Sequence, residues 1–230
     1  MVTAPEFSNG LGLDVHIRTK IRTWWSFIDK AVLRIGKDTI QVQGGQNSAT
    51  YWVNGVQGTL KDGMTELEET VAGLKIHYKD VSKKQKRFHL DVEGARINLE
   101  TFLDFVRVTI KVDNSNSEHF SNATGLMGAF PTGAMLGRNG EVIQDTDAFA
   151  QDWMVLHSET NLFDNREGPQ HPQACQMPEV GSATKKRRLG EVAITGEEAA
   201  IACARVSPGD RDACIFDVLA TNDKDFAGAY

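Results

Sequence analysis

The sequence predicts an all-β protein: an antiparallel β-sandwich of short strands, with a short helix near 146–153 and a small C-terminal helical hairpin. Three observations carry that expectation. Residues 13–22 (LDVHIRTKIR) set Leu13, Val15, Ile17, Thr19 and Ile21 against Asp14, His16, Arg18, Lys20 and Arg22 in a period-two pattern. Short runs rich in branched and aromatic residues then recur up to residue 112, parted by turn signals. Beyond Asp113 the chain becomes rich in Asn, Ser and Gly, and later in helix formers.

The elements follow in order. The alternation at 13–22 buries one face of a strand and wets the other, whereas a helix would smear its apolar residues around the circumference. Trp24–Ile28 and Ala31–Ile35 read as two further strand-like runs. Gly36-Lys37-Asp38 is a turn, Thr39–Gln43 alternates again, and Gly44-Gly45 ends it. Tyr51-Trp52-Val53 runs into Asn54-Gly55, the strongest short hairpin signal a sequence offers. Residues 72–79, 86–93, 95–99 and 103–112 complete a series of eight or nine strands. In the last, Val106, Val108, Ile110 and Val112 face one way and Phe105, Arg107, Thr109 and Lys111 the other.

Residues 114–140 contain the glycine-punctuated GLMGAFPTGAMLGRNG. Thr146–Trp153 reads as a helix capped by Asp145 or Thr146, with Ala148, Phe149 and Trp153 on its buried side. The expected β domain spans 1–163, and 164–194 is a linker with three prolines and the basic run Lys185–Arg188. That run reads as a solvated patch, a dibasic processing site or a nuclear-localisation signal. Residues 195–206, opened by Thr195 as a cap, and 211–221 form the helical hairpin around Ser207–Asp210.

The balance of 40% hydrophobic and 24% charged residues suits a globular chain, and no apolar run approaches the ~20 residues of a membrane-spanning helix. Residues 1–113 carry 16 basic against 14 acidic residues, and 114–230 carry 9 against 17. The acidic second half argues against a nucleic-acid groove, which needs clustered positive charge. The first residues lack the basic start and apolar core of a signal peptide, so the chain is expected to be either cytosolic or an interior piece of a secreted protein.

Catalytic arrangements are not visible. No histidine stands in a catalytic arrangement with a Ser, a Cys or a second His, and His16, His77 and His89 read as exposed strand residues. The glycine-rich segment lacks the Gly-Lys-Ser/Thr ending of a phosphate loop. The three cysteines, Cys175, Cys203 and Cys214, have no zinc-site spacing and allow one internal disulfide. Cys203 pairs with Cys214 across the turn, or Cys175 pairs with one of them. Asn122-Ala123-Thr124 is a glycosylation sequon. Adjacent Trp24 and Trp25 cannot both point inward from a regular strand, so one is a candidate contact residue.

Two segments carry a family likeness. GLMGAF at 125–130, followed by DTDAFAQDW at 145–153, resembles the end of a von Willebrand factor type D domain. The strand series and the YWVNG turn fit that likeness. The stretch from AAIACA to DACIFDVLATND at 199–223 is similar to the cysteine-bearing helical region that often follows such domains. Neither the family's opening Gly-Asp-Pro-His strand motif nor its early cysteine is present, and Met127 stands where the partner cysteine would be. The resemblance therefore implies an N-terminally incomplete, cysteine-poor relative, with an unpaired sheet edge or an exposed apolar strip as the expected consequence. It also implies a calcium ion bound around Asn139, Asp145 and Asp147, although Ala129 and Pro131 replace polar residues of the motif.

What the resemblance implies for function is a non-catalytic extracellular or cell-surface module, acting in adhesion or matrix assembly on protein or glycan partners. Two alternatives stand beside it. One is a calcium-dependent hydrolase using Asp145 and Asp147; the other is an intracellular β-rich protein directed to the nucleus by Lys185–Arg188.

Overall fold

The alternating residues at 13–22 form one strand of a seven-stranded sheet in the computed structural model, which describes residues 1–22, 25–46, 48–92, 94–113, 118–156, 158–163 and 193–230. The strands of this sheet are β1 (Val2–Ala4), β2 (Leu13–Arg22), β3 (Trp25–Ile35), β4 (Asp38–Gln43), β5 (Thr50–Val53), β6 (Val56–Gln57) and β12 (Thr124–Gly125). Their order is β12-β1-β2-β3-β4-β5-β6. A second sheet is a meander of β7 (Glu66–Val71), β8 (Leu74–Asp80), β9 (Gln85–Val92), β10 (Ala95–Phe102) and β11 (Phe105–Val112). The strand pairs whose register is resolved are antiparallel. The expected all-β class is therefore observed.

Two compact units divide the chain: 1–19 with 28–168, and 20–27 with 169–230. The first also holds the short helices α1 (Phe7–Gly10) and α2 (Thr146–Asp152), and the inward residues of both sheets form one apolar core. Leu33, Ile35, Ile40, Val42 and Tyr51 meet Ile76, Phe88, Leu90, Ile97 and Leu99 there. The Tyr51 and Phe88 rings lie 5.8 Å apart, and Tyr78 and Phe88 5.2 Å. Each side chain fully removed from water contributes roughly 1.5–3 kcal/mol before the cost of ordering it. No disulfide is needed for a core of this size.

The turns follow local chemistry. Asn54-Gly55 adopts positive φ at both residues, 49° and 79°, and joins the paired Val53 and Val56. This is the backbone that matches strand twist in a two-residue hairpin. Ala72-Gly73 does the same between Val71 and Leu74. Asp38 ties both turns together, accepting from Asn54 Nδ2 at 3.2 Å and from the Ala72 N–H at 2.9 Å.

The structure differs from the sequence reading in several places. The runs 24–28 and 31–35 belong to one continuous strand, β3, because Asp29 is neutralised in place by Arg18 of β2 and Lys30 lies over the Trp52 ring, 5.7 Å from its centroid. Strand β7 carries three glutamates and only Leu67 and Val71 as buried anchors, so its pattern is weak. Val2–Ala4 is an interior strand, paired with β12 on one side and β2 on the other. The eight-residue β11 is a sheet edge and turns Val106, Val108, Ile110 and Val112 toward the core, as the alternation requires. Trp24 and the side chain of Trp25 lie outside the described residues.

In the second unit, α3 (Gly196–Ala202) and α4 (Arg211–Thr221) precede a closing 3-10 turn at Lys224–Ala229. Thr195 caps α3 in a reciprocal capping box with Glu198. The helix ends at Ala202 rather than reaching 206, because Cys203 is its C-cap and is bonded to Cys214 with the Cα atoms 6.0 Å apart. Ala199, Cys203, Val206, Cys214, Val218 and Phe226 are the buried side chains of this small core. The expected linker at 164–194, with Cys175 and Lys185–Arg188, falls almost wholly outside the described residues.

Candidate functional site

Two places gather chemistry in the first unit. One is the segment after β12, organised around Trp153. Gly125 makes its start possible: φ is +146°, and a Cβ there would stand 2.5 Å from the Met1 oxygen and the Val2 Cα. The Met1 nitrogen donates to the Trp153 oxygen and the Leu126 N–H to the Met1 oxygen, each at 2.9 Å. Trp153 Nε1 donates to the Leu136 oxygen at 2.9 Å, and the Arg138 guanidinium lies over the indole, 5.6 Å from its centroid. Arg138 also donates to Glu159 and to the Met154 oxygen. Arg138 and the Leu156 N–H together hold the Glu159 carboxyl below its ordinary pKa.

This framework presents apolar side chains to water. Leu126, Met127, Val142, Met154 and Leu156 are all exposed, Met127 and Val142 each by 59%. Among the described residues, eleven large apolar side chains are exposed, and five of them fall in this one stretch. Scattered exposed residues are ordinary, but such concentration on a hydrogen-bonded framework makes this segment a candidate contact surface.

The residues expected to bind calcium lie in the same segment. Asp145 is the N-cap of α2 (Thr146–Asp152), and its Oδ1 accepts from the Ala148 N–H at 2.7 Å. Asp147 is in the first turn of that helix, where its charge complements the helix dipole. Asn139 Oδ1 accepts from the Glu141 N–H at 3.0 Å, and its Nδ2 donates to the Glu141 carboxylate. All three side chains belong to exposed residues. Phe149 and Trp153 are buried as expected, but Ala148 is exposed, because the buried stripe of this two-turn helix is narrower than the pattern suggests. Asn122 of the sequon is exposed at a turn with φ +64°.

The second place is the outer face of the five-stranded sheet. Glu66, His77, His89 and Asn98 are successive cross-strand partners from β7 to β10. The imidazoles of His77 and His89 stack with centroids 4.8 Å apart and planes 20° apart. His77 Nδ1 is 3.4 Å from a Glu66 oxygen, and His89 Nε2 is 3.7 Å from an Asp91 oxygen. Burial lowers the His89 pKa against the opposing pull of Asp91, while the Arg96 hydrogen bond lowers that of Asp91.

Both findings correct the histidine reading. His77 does stand beside a second histidine: twelve residues apart in sequence, they are brought together by the register of β8 and β9. Equal facing in the strand pattern was the available signal, but the register that pairs them lies outside any local window. His16 is not an exposed strand residue; it is 5% exposed, and burial lowers its pKa to about 4.

No protein-family model and no curated protein matches the chain.

Proposed function

We propose that the chain is a non-catalytic interaction module that uses the framework around Trp153 to hold a protein partner. The single observation carrying this reading is the set Leu126, Met127, Val142, Met154 and Leu156, exposed on a backbone fixed by Trp153 and Arg138. A rigid apolar surface binds with little ordering cost, because its loops do not have to be fixed on contact.

The extracellular part of the proposal draws on the Cys203–Cys214 bridge, which is the form expected in an oxidising compartment. The von Willebrand factor type D likeness of GLMGAF and DTDAFAQDW points the same way. In that reading a calcium ion near Asn139, Asp145 and Asp147 would brace the loops beside the apolar surface, with oxygen donors suited to a hard cation.

Cross-linking the protein in its native source tests the function. Cross-links to a partner are expected to fall within 126–156 and to disappear when Met127, Met154 and Leu156 are all changed to Ser. Partner cross-links that persist in this folded variant would contradict the proposal, as would a hydrolytic activity abolished by Asp145→Asn.

A further inference from the structure

The outer face of the five-stranded sheet offers more than a polar surface. His77, His89 and Asp91 each present one donor atom, and these atoms lie within 4.8 Å of one another. The Glu66 carboxylate lies 3.4 Å from His77 Nδ1. Adjacent strands fix these positions through their register, so the donors are aligned by the sheet rather than by a loop. Among the described residues, His89 Nδ1 is buried without a hydrogen-bond partner, while Nε2 of the same ring lies 3.7 Å from Asp91.

We propose that His77, His89 and Asp91 bind a divalent metal ion of the zinc class, with Glu66 as fourth ligand or as the acceptor that orients His77. The donor set decides the metal class. Two imidazoles and a carboxylate suit zinc, copper or nickel, whereas calcium prefers oxygen donors alone. Zinc takes imidazole nitrogen and carboxylate oxygen at about 2.0–2.2 Å in a tetrahedron, which places neighbouring donors about 3.4 Å apart.

The surrounding cations set the competition. Lys75 pairs with Glu66 at 3.0 Å, and Arg96 with Asp91 through two hydrogen bonds. Arg87 is engaged by Glu100 on the neighbouring strand. Exposed ion pairs of this kind contribute little, so the carboxylates are free to exchange them for a metal. The site is separate from the expected calcium ligands and takes a different class of ion.

The test uses the full chain, purified without a polyhistidine tag and stripped with chelator. Titration with Zn2+ against a chromophoric chelator is expected to give one equivalent bound at micromolar concentration. His77→Ala and His89→Ala should each weaken binding at least about thirtyfold, and Asp91→Asn about tenfold, while Lys79→Ala on the same face leaves it unchanged. Titration of the wild-type chain with Co2+ gives an answer independent of how the variants fold: intense visible d–d bands are expected from a tetrahedral site. Featureless Co2+ spectra, no saturable Zn2+ binding below about 0.1 mM, or equal binding by the wild type and the double histidine variant would overturn the proposal.

Discussion

The β-sandwich and the C-terminal helices are held together by different means. In the sandwich, large core side chains from two sheets share one interior, and contacts such as Tyr51 with Phe88 join residues far apart in sequence. In the helical region, α3 and α4 are seven and eleven residues long, too short to persist alone, and among the described residues the core is six side chains. A capping box, a left-handed Asn222 at the end of α4 and the Cys203–Cys214 bridge make up the difference. Stability thus comes from area in one region and from local fastenings in the other.

The largest expected effect breaks the sandwich. Phe88 is fully buried and touches the Tyr51 and Tyr78 rings, so Phe88→Ala should cost about 3–5 kcal/mol in urea unfolding. Helical signal from 195–221 should survive at urea concentrations that unfold this variant's sheets.

Next comes the converse. Cys203→Ser with Cys214→Ser releases a loop whose ends are 11 residues apart and should destabilise the helical region by about 2–3 kcal/mol. The sandwich midpoint should not move.

Two pH windows separate the regions further. The folded sandwich keeps His16 neutral down to about pH 4, whereas the unfolded chain takes up that proton near 6.5. Its contribution is therefore full above about 6.5 and is lost as pH falls toward 4, on the order of 2 kcal/mol. His16→Gln should flatten the stability profile in that window. In the helical region, hydrogen bonds from Lys224 and Thr195 lower the Glu198 pKa from 4.5 to about 2. That contribution is present above 4.5 and lost as pH falls toward 2. The Glu198 side chain is 42% exposed, so the effect is the smallest here: a modest loss of helical circular dichroism between pH 4.5 and 2 that Glu198→Gln abolishes.

The same contrast explains what the sequence made legible. Asn54-Gly55, the alternation at 13–22, the Asp145 cap and the cysteine-bearing hairpin are short-range signals, and each appears where its chemistry placed it. Strand β7 was hidden, because its glutamates obscure two anchors that matter only against the opposite sheet. The continuity of β3 depends on Arg18, a residue of another strand, neutralising Asp29. The His77–His89 pair depends on a register fixed by whole-sheet burial. At the candidate contact surface, the sequence singled out the glycine-punctuated segment as a family likeness and Trp153 as a buried helix residue. It did not show that Met127, Met154 and Leu156 face water, since that follows from the hydrogen bonds that fix the backbone beside them.

Hydrogen–deuterium exchange with and without reductant tests most directly whether the two regions are held by different means. Reduction is expected to speed exchange of the α3 and α4 amides by at least tenfold while leaving those of β9 and β10 unchanged. Equal loss of protection in β9 and β10 on reduction, or full protection of α3 and α4 without the bridge, would contradict it.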